Sequence, residues 1–315
     1  MNEPLVIARA FHLASTLLLA GTIVFQCFVA APAFRAKADG PLEDGLRIRL
    51  TRIVWGALVI SVISGAAWLL FLAAEIGDVP VADAWSRGLP WMVLTQTEFG
   101  NDWTLRLEMA VLLAVLLVLP AINPGFASAT DMICALLAAG LAGSIAWSGH
   151  AAATTGFDGT INLASDALHL VAAGAWLGAL WPLAVLLGRA RLAGDPVSAA
   201  IAHQATRRFS VLGIISVAAI LATGIINTYE ILGSLAFSIG TDYNRLLLIK
   251  IGLFIAMLCV AAVNRQRLTP RLASEAERVR AIRQLERNSR VEAGLGLLIL
   301  AIVAVLGRIP PHVHE

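Results

Sequence analysis

The sequence predicts an all-α protein that crosses a membrane many times. Three observations carry this. The 315 residues are 58% hydrophobic and only 14% charged, where a soluble domain carries about 25% charged residues. The apolar residues come in runs of about 20, the length that crosses a hydrocarbon core of about 30 Å. The basic residues gather in alternate connections, as orientation in a membrane requires.

Eight spans are expected, at roughly 4–33, 51–76, 103–121, 130–149, 164–188, 208–232, 243–264 and 291–308. They leave almost nothing for a soluble domain, so 1–315 is read as one integral membrane unit. The first span has an apolar stretch too long for a cleaved signal peptide, and Glu3 and Arg9 make a poor basic n-region. It is expected to be a retained helix carrying His12. The second span closes on the step Ser64-Gly65. The third opens at Gly100-Asn101-Asp102-Trp103 and brings in Arg106 and Glu108 within two turns. The fourth runs into Ser148-Gly149-His150. The fifth begins with Asp166-Ala167-Leu168-His169, with Trp176 seven residues beyond His169. The sixth carries Thr223-Gly224 and ends with Asn227, Tyr229 and Glu230. The seventh opens at Gly240-Thr241-Asp242-Tyr243 and carries Lys250. The eighth starts with Glu292, expected to answer neighbouring arginines.

Orientation follows from charge. Arg35, Lys37, Arg47, Arg49 and Arg52 follow span 1. Arg189, Arg191, Arg207 and Arg208 lie between spans 5 and 6. Arg265, Arg267, Arg271, Arg278, Arg280, Arg283, Arg287 and Arg290 lie between spans 7 and 8. These are 17 of the 23 Lys and Arg residues. Loops rich in Lys and Arg stay inside, which places both termini outside, in the periplasm. A net charge of +2 implies no nucleic-acid partner; the basic loops are orientation signals first and lipid contacts second.

The two halves echo each other. His12 is followed by Gly21 after nine residues, and His169 by Gly178 after nine. In Gly-x-Asp-aromatic, which opens spans 3 and 7, Asp caps the free helix N–H groups and the ring sits at the interface. Spans 2 and 6 share the Ser/Thr-Gly step. The matches predict a parallel repeat of four plus four helices, about 1–127 and 160–309, followed by a tail at 310–315. His12 and His169 would be pseudo-symmetric partners able to meet at the axis and share one ligand.

The polar groups fall in the outer third. At 1.5 Å per residue, His12 lies about 12 Å deep, His169 about 7–8 Å and Lys250 about 10 Å. Imidazole is costly among lipid tails, and an intramembrane ionisable group is a functional candidate. His12, His150 and His169 at similar depth point to a metal or haem site. Asp166, three residues before His169 and on its helix face, fits the part of a carboxylate that fixes an imidazole tautomer. Arg106 and Lys250 are expected to pair with Glu108 or with a substrate anion, or to serve as structural ion pairs. Trp176 reads first as packing. Cys27, Cys134 and Cys259 show no disulfide spacing; they are small buried hydrophobes or an inner thiol site for a soft ion such as Cu(I). His203 falls in a basic loop, and His312 and His314 form a His-x-His tail. Phosphate-binding loops, nucleophile elbows, HExxH and CxxC motifs are all missing.

At these residues the chain resembles the CopD family of copper-resistance and copper-transport membrane proteins. The resemblance rests on His12, Gly149-His150-Ala151, Asp166-Ala167-Leu168-His169-Leu170 leading into Trp176-Leu177-Gly178, Arg208-Phe209-Ser210 and Thr223-Gly224. Tyr243 with Leu247 and Lys250, Asn264-Arg265, Glu292 and Pro310-Pro311 complete it. It implies an eight-helix protein of the bacterial inner membrane that moves copper, often with a periplasmic CopC-like copper-binding partner. Some members carry a fused CopC-like domain, for which this chain has no room. With only five Met residues the chain lacks Met-rich tracts, and histidine ligands suit Cu(II) as well as Cu(I). Three readings compete. A copper permease would use the histidines as its outer site, with polar residues of spans 6 and 7, Tyr229 among them, lining a path to the cysteines. A b-type cytochrome would hold haem b between two histidines, with Arg106 and Lys250 on its propionates. A copper-delivery factor would hand the metal to a cuproenzyme.

Overall fold

The computed structural model describes residues 3–35, 41–122, 127–148, 156–232 and 240–309. All its regular elements there are helical. In chain order they are α1 (Glu3–Phe25), α2 (Ala31–Arg35), α3 (Pro41–Ile76), α4 (Val81–Ser86), α5 (Leu89–Gln96), α6 (Glu98–Ile122), α7 (Ala127–Ser144), α8 (Gly156–Ala193), α9 (Pro196–Leu232), α10 (Asp242–Val263), α11 (Thr269–Arg271) and α12 (Glu275–Leu306). Two π-helical turns, Gln26–Ala30 after α1 and Asn264–Leu268 after α10, continue those helices, and a 3₁₀ turn, Ile145–Ser148, ends α7.

Among the described residues, seven stretches are long and apolar enough to cross a membrane: Glu3–Arg35, Leu42–Ile76, Thr130–Ser148, Gly159–Ala193, Pro196–Glu230, Asp242–Arg271 and Glu275–Leu306. The chain is thus a multi-pass membrane protein. The expected third span falls on the 25-residue helix α6, which is not one of the seven; Glu98, Asp102, Arg106 and Glu108 all lie in its first half.

Helices α1 and α8 form the centre. α1 packs on α3, α8, α7 and α12, while α8 packs on α9, α1, α12 and α7. They touch at the two glycines singled out by spacing. A Cβ on Gly21 would overlap the backbone of Gly178 and Gly174, and one on Gly178 would overlap the backbone of Leu17 and approach Gly21. Leu17 and Gly174 each lie four residues before the crossing glycine of their own helix, so the contact has the same form seen from either side. Small residues let membrane helices approach at backbone distance and gain dispersion energy there.

The same two helices carry the fully buried Leu17, Leu19, Leu180, Leu186 and Trp176. The outer faces of α9, α10 and α12 carry exposed Ile214, Ile215, Ile249, Ile255, Leu297 and Leu298, an apolar coat suited to lipid. The start of α1 and the end of α12 meet at one end of the bundle. Arg9 Nη1 donates to the carbonyl of Gly307 at 3.0 Å, its guanidinium lies 5.1 Å from the centre of a Trp68 ring, and Arg308 pairs with Glu75.

Candidate functional site

Nine residues from the glycine crossing, about 13 Å along each axis, the two central helices carry His12 and His169. His12 is buried at 3% exposure. It points toward α3 and α6, where its ring meets Trp68 and Trp103 edge-on at 5.7 and 5.8 Å. Gly65 makes room for this arrangement, because a Cβ there would overlap the ring of Trp103. His12 Nδ1 lies 2.9 Å from the carbonyl oxygen of Ser61. A carbonyl only accepts, so Nδ1 carries the proton and Nε2 keeps its lone pair. That Nε2 is buried without a hydrogen-bond partner.

His169 looks the other way, toward α9 and α10. Its Nδ1 lies 2.9 Å from Thr223 Oγ1. The Thr223 hydroxyl gives its own hydrogen to the carbonyl of Ala219 at 2.6 Å, so it accepts from His169. Nδ1 is again the protonated nitrogen, and Nε2 again holds the lone pair. Around this ring the side chains are polar. Ser165 Oγ donates to Asn227 Oδ1 at 2.6 Å, and Asn227 Nδ2 donates to Asp166 Oδ1 at 3.3 Å. Lys250 is within electrostatic reach of both Asp166 and His169. Gly224 faces the imidazole directly: a Cβ there would lie 3.6 Å from His169 Cε1.

The structure thus gathers Asp166, His169 and Lys250 as one group, but Asp166 reaches Asn227 rather than the imidazole. The contacts described for His12 and His169 share no residue, so nothing in them supports a single ligand held between the two rings. Among the described residues no group of three or more His, Cys, Asp and Glu is placed to hold a metal ion. His150 lies outside the described residues, as do His312 and His314.

Two pairings expected from sequence do not form. Arg106 is buried, and rather than pairing with Glu108 it donates to Ser144 Oγ at 3.2 Å, the Ser144 carbonyl at 2.6 Å and Ser148 Oγ at 2.6 Å. One of its amino nitrogens, Nη1, is buried without a partner, and the guanidinium is within electrostatic reach of His12. Glu108 is exposed because α6 turns that face away from α7. Glu292 does not answer the arginines either; it accepts from Asn264 Nδ2 at 2.6 Å.

Trp176 is core, 1% exposed, with its ring edge-on to Phe254 at 6.0 Å. Tyr229 is exposed on α9. Of the cysteines, Cys27 in the first π turn donates to the Asp131 carbonyl at 3.4 Å and interacts with buried Cys134. Cys259 is exposed on α10, while Cys27 and Cys134 lie within electrostatic reach of each other. Sequence reasoning missed Ser61, Trp68 and Ser144 as partners. Ser61 had a signal in retrospect: it lies three residues before Ser64, on the same helix face.

The fold and these contacts define a class: a helical multi-pass membrane protein whose two central helices each carry a histidine with its Nδ1 tied to an oxygen acceptor. The chain belongs to the copper resistance protein D family. Residues 1–161 match the model described as "Copper resistance protein D-like, N-terminal domain" and residues 203–306 the model described as "Copper resistance protein D". Relatives extend over nearly the whole chain. "Copper resistance protein D" of Pseudomonas syringae pv. tomato is 29% identical over 100% of this chain and 99% of its own length. "Inner membrane protein YebZ" of Escherichia coli (strain K12) is 29% identical over 96% of this chain and 97% of its own. "Copper transport protein CutJ" of Bacillus subtilis (strain 168) is 28% identical over 96% of this chain and 52% of its own. No solved structure matches.

Proposed function

We propose that this chain transports copper ions across the bacterial inner membrane and so serves copper homeostasis and resistance, rather than catalysing a reaction. Copper is the cargo, and the imidazoles of His12 and His169 take it through Nε2. The observation that carries this reading is the tautomer. At both histidines an oxygen acceptor fixes the proton on Nδ1, the arrangement that turns the other nitrogen into a metal ligand.

Each imidazole serves its own half of a parallel four-plus-four bundle. The like-for-like contact at Gly21 and Gly178 supports that symmetry. α6 is the eighth span: 25 residues reach about 37 Å, enough to cross. The meeting of Arg9 with Gly307 supports termini on one side, and the arginine-rich connections assign that side to the periplasm. His150, two residues after Ser148 in sequence, serves as a further ligand. Asp166 and Lys250 balance charge beside His169, and Cys27 with Cys134 receives copper toward the inner end. A CopC-like periplasmic protein supplies or accepts the ion.

The test is copper content and copper flux of the purified protein in liposomes. Wild type is expected to bind and move copper, and His12→Ala/His169→Ala to lose both while inserting normally. Unchanged copper handling in the double variant would sink the histidine assignment. A Soret band lost in that variant would move the protein to the haem b cytochromes, and loss of a cuproenzyme's activity without altered copper flux would make it a delivery factor.

A further inference from the structure

α12 buries two glutamates six residues apart, Glu286 at 4% and Glu292 at 2% exposure. Their surroundings are opposite. Glu286 is clamped by cations: Arg191 Nε donates at 2.8 Å and Arg290 Nη2 at 2.5 Å. The bare backbone of Gly188 gives its carboxylate a seat, since a Cβ there would lie 2.8 Å from Oε1. Glu292 has no such clamp. Its described hydrogen bond comes from the neutral amide of Asn264. That amide is fixed in orientation, because Asn288 Nδ2 donates to Asn264 Oδ1 at 2.7 Å and so turns Asn264 Nδ2 toward Glu292. Asn264 opens the π turn Asn264–Leu268, and Thr269 Oγ1 donates to its carbonyl at 2.8 Å.

The cations along α12 and along the neighbouring elements are held elsewhere or exposed. On α12, Arg290 is held by Glu286, Arg278 donates to the Leu272 carbonyl at 3.1 Å, and Arg280, Arg283 and Arg287 are exposed. In the π turn, Arg265 is exposed and bonds Ser210 Oγ at 3.2 Å, and Arg267 is exposed. On α10, Lys250 is fourteen residues before Asn264, about 21 Å along the axis. On α8, Arg191 is held by Glu286, and Arg189 lies against Gly45 of α3. On α11, Arg271 pairs with Glu277 at 4.0 Å. The first central helix has no charged residue between Arg9 and Arg35. Among the described residues no cation forms an ion pair with Glu292. An isolated carboxylate in such a place costs many kcal/mol, and a buried carboxyl without an ion pair at the inner end of a span is placed to exchange a proton with that side.

We infer that Glu292 is a reversible proton-binding site, and that its titration couples a proton to copper movement; the coupling rests on the copper-transport reading above. With the π turn closed, the carboxyl is the neutral acid, Asn264 bonding one oxygen and the proton residing on the other. When the turn opens to water, the O–H bond breaks, the electron pair stays on the carboxylate, and the proton passes to water on the inner side past Asn264 and Asn288. Closure reverses the step. No oxidant or reductant is needed.

The experiment has two arms on the full chain. In the first, infrared difference spectra across a pH titration are recorded without copper. Wild type is expected to show the carbonyl stretch of a protonated acid in an apolar site, titrating reversibly and missing from Glu292→Gln. A band that never titrates, or one that persists in Glu292→Gln, overturns the inference. In the second, proteoliposomes report copper flux together with internal pH. Glu292→Gln, which keeps the shape and one acceptor, is expected to retain copper-for-copper exchange but lose the pH change that accompanies net copper flux in wild type. Net flux with an unaltered pH change in Glu292→Gln also overturns it. Wild type that moves no copper defeats the transport reading instead, and the infrared arm still decides whether Glu292 binds a proton.

Discussion

The two halves of the molecule present the same residue at the same distance from the same kind of helix crossing, yet surround it differently. His12 sits in a dry aromatic box of Trp68 and Trp103, anchored by a backbone carbonyl. His169 sits in a polar cluster of Thr223, Asp166, Asn227 and Lys250, anchored by a side-chain hydroxyl. The shared part is the scaffold: small residues where backbones touch, and Nδ1 tied to an oxygen. The divergent part is the dielectric. Indole edges wall the ring of His12, whereas hydroxyl, amide, carboxyl and ammonium groups gather around that of His169. A carrier that must capture an ion and then release it has a use for both.

The largest effect is expected where the halves meet. Gly178→Val puts three carbons into the backbone of α1, with no flexible side chain able to yield. Overpacking a core costs about 1–3 kcal/mol and occasionally more, and a backbone-to-backbone crossing lies at the upper end. The variant is expected to fail to accumulate in membranes, measured by quantitative blot against wild type. Normal accumulation would mean that α1 and α8 do not cross here.

The next effect separates the halves. Gly65→Ala drives a methyl into the Trp103 ring, which His12 and the neighbouring helices confine, and is expected to cost about 1–3 kcal/mol. Gly224→Ala meets His169 Cε1 at ordinary contact distance and gains about 0.5–1 kcal/mol of helix preference, so it is expected to be neutral or mildly stabilising. Thermal unfolding in detergent compares the two. Equal losses would erase the distinction between the aromatic and the polar half.

A smaller and more specific effect is expected at Thr223. Thr223→Val keeps the volume but removes the oxygen that fixes the His169 tautomer. Loss of such an outer partner lowers metal affinity by about 10–100-fold, and a loss in that range is expected here. Copper titration of the purified variant measures it. His12 has no equivalent side chain to remove, since its anchor is the Ser61 backbone.

Much of this was legible in the sequence, and the failures are instructive. The nine-residue spacing from histidine to glycine paired spans 1 and 5, and those glycines prove to be where the two helices cross; the Ser/Thr-Gly steps paired spans 2 and 6, and their glycines prove to lie beside Trp103 and His169. The direction in which each histidine points was not legible. Pseudo-symmetry suggested two rings meeting at an axis, but rotation of each helix about its own length decides the facing, and Trp68 and Trp103 decide it for His12. Arg106 was expected to seek a carboxylate, yet the carbonyl and hydroxyl of Ser144 satisfy a guanidinium as well inside a bundle. Glu292 was expected to seek arginines, but Glu286, one and a half turns earlier, already holds them.

The smallest effect is expected at Glu108. It lies on the exposed face of α6 with Leu105, Leu112 and Val115, while Arg106 faces inward with its serine partners. A carboxylate on an apolar face is an expense in lipid, so Glu108→Leu removes a burden rather than a contact. Folded protein and copper flux are expected to stay at wild-type level, with any stability change within about 0.5 kcal/mol, measured by the same liposome assay and unfolding curve used for the pocket variants. A marked loss of flux would show that this face of α6 is covered in the working protein, by a second copy or by another membrane protein, and that the aromatic half extends beyond the single chain. Preserved flux would leave α6 contributing through its inward face alone, with Trp103 and Arg106 framing His12.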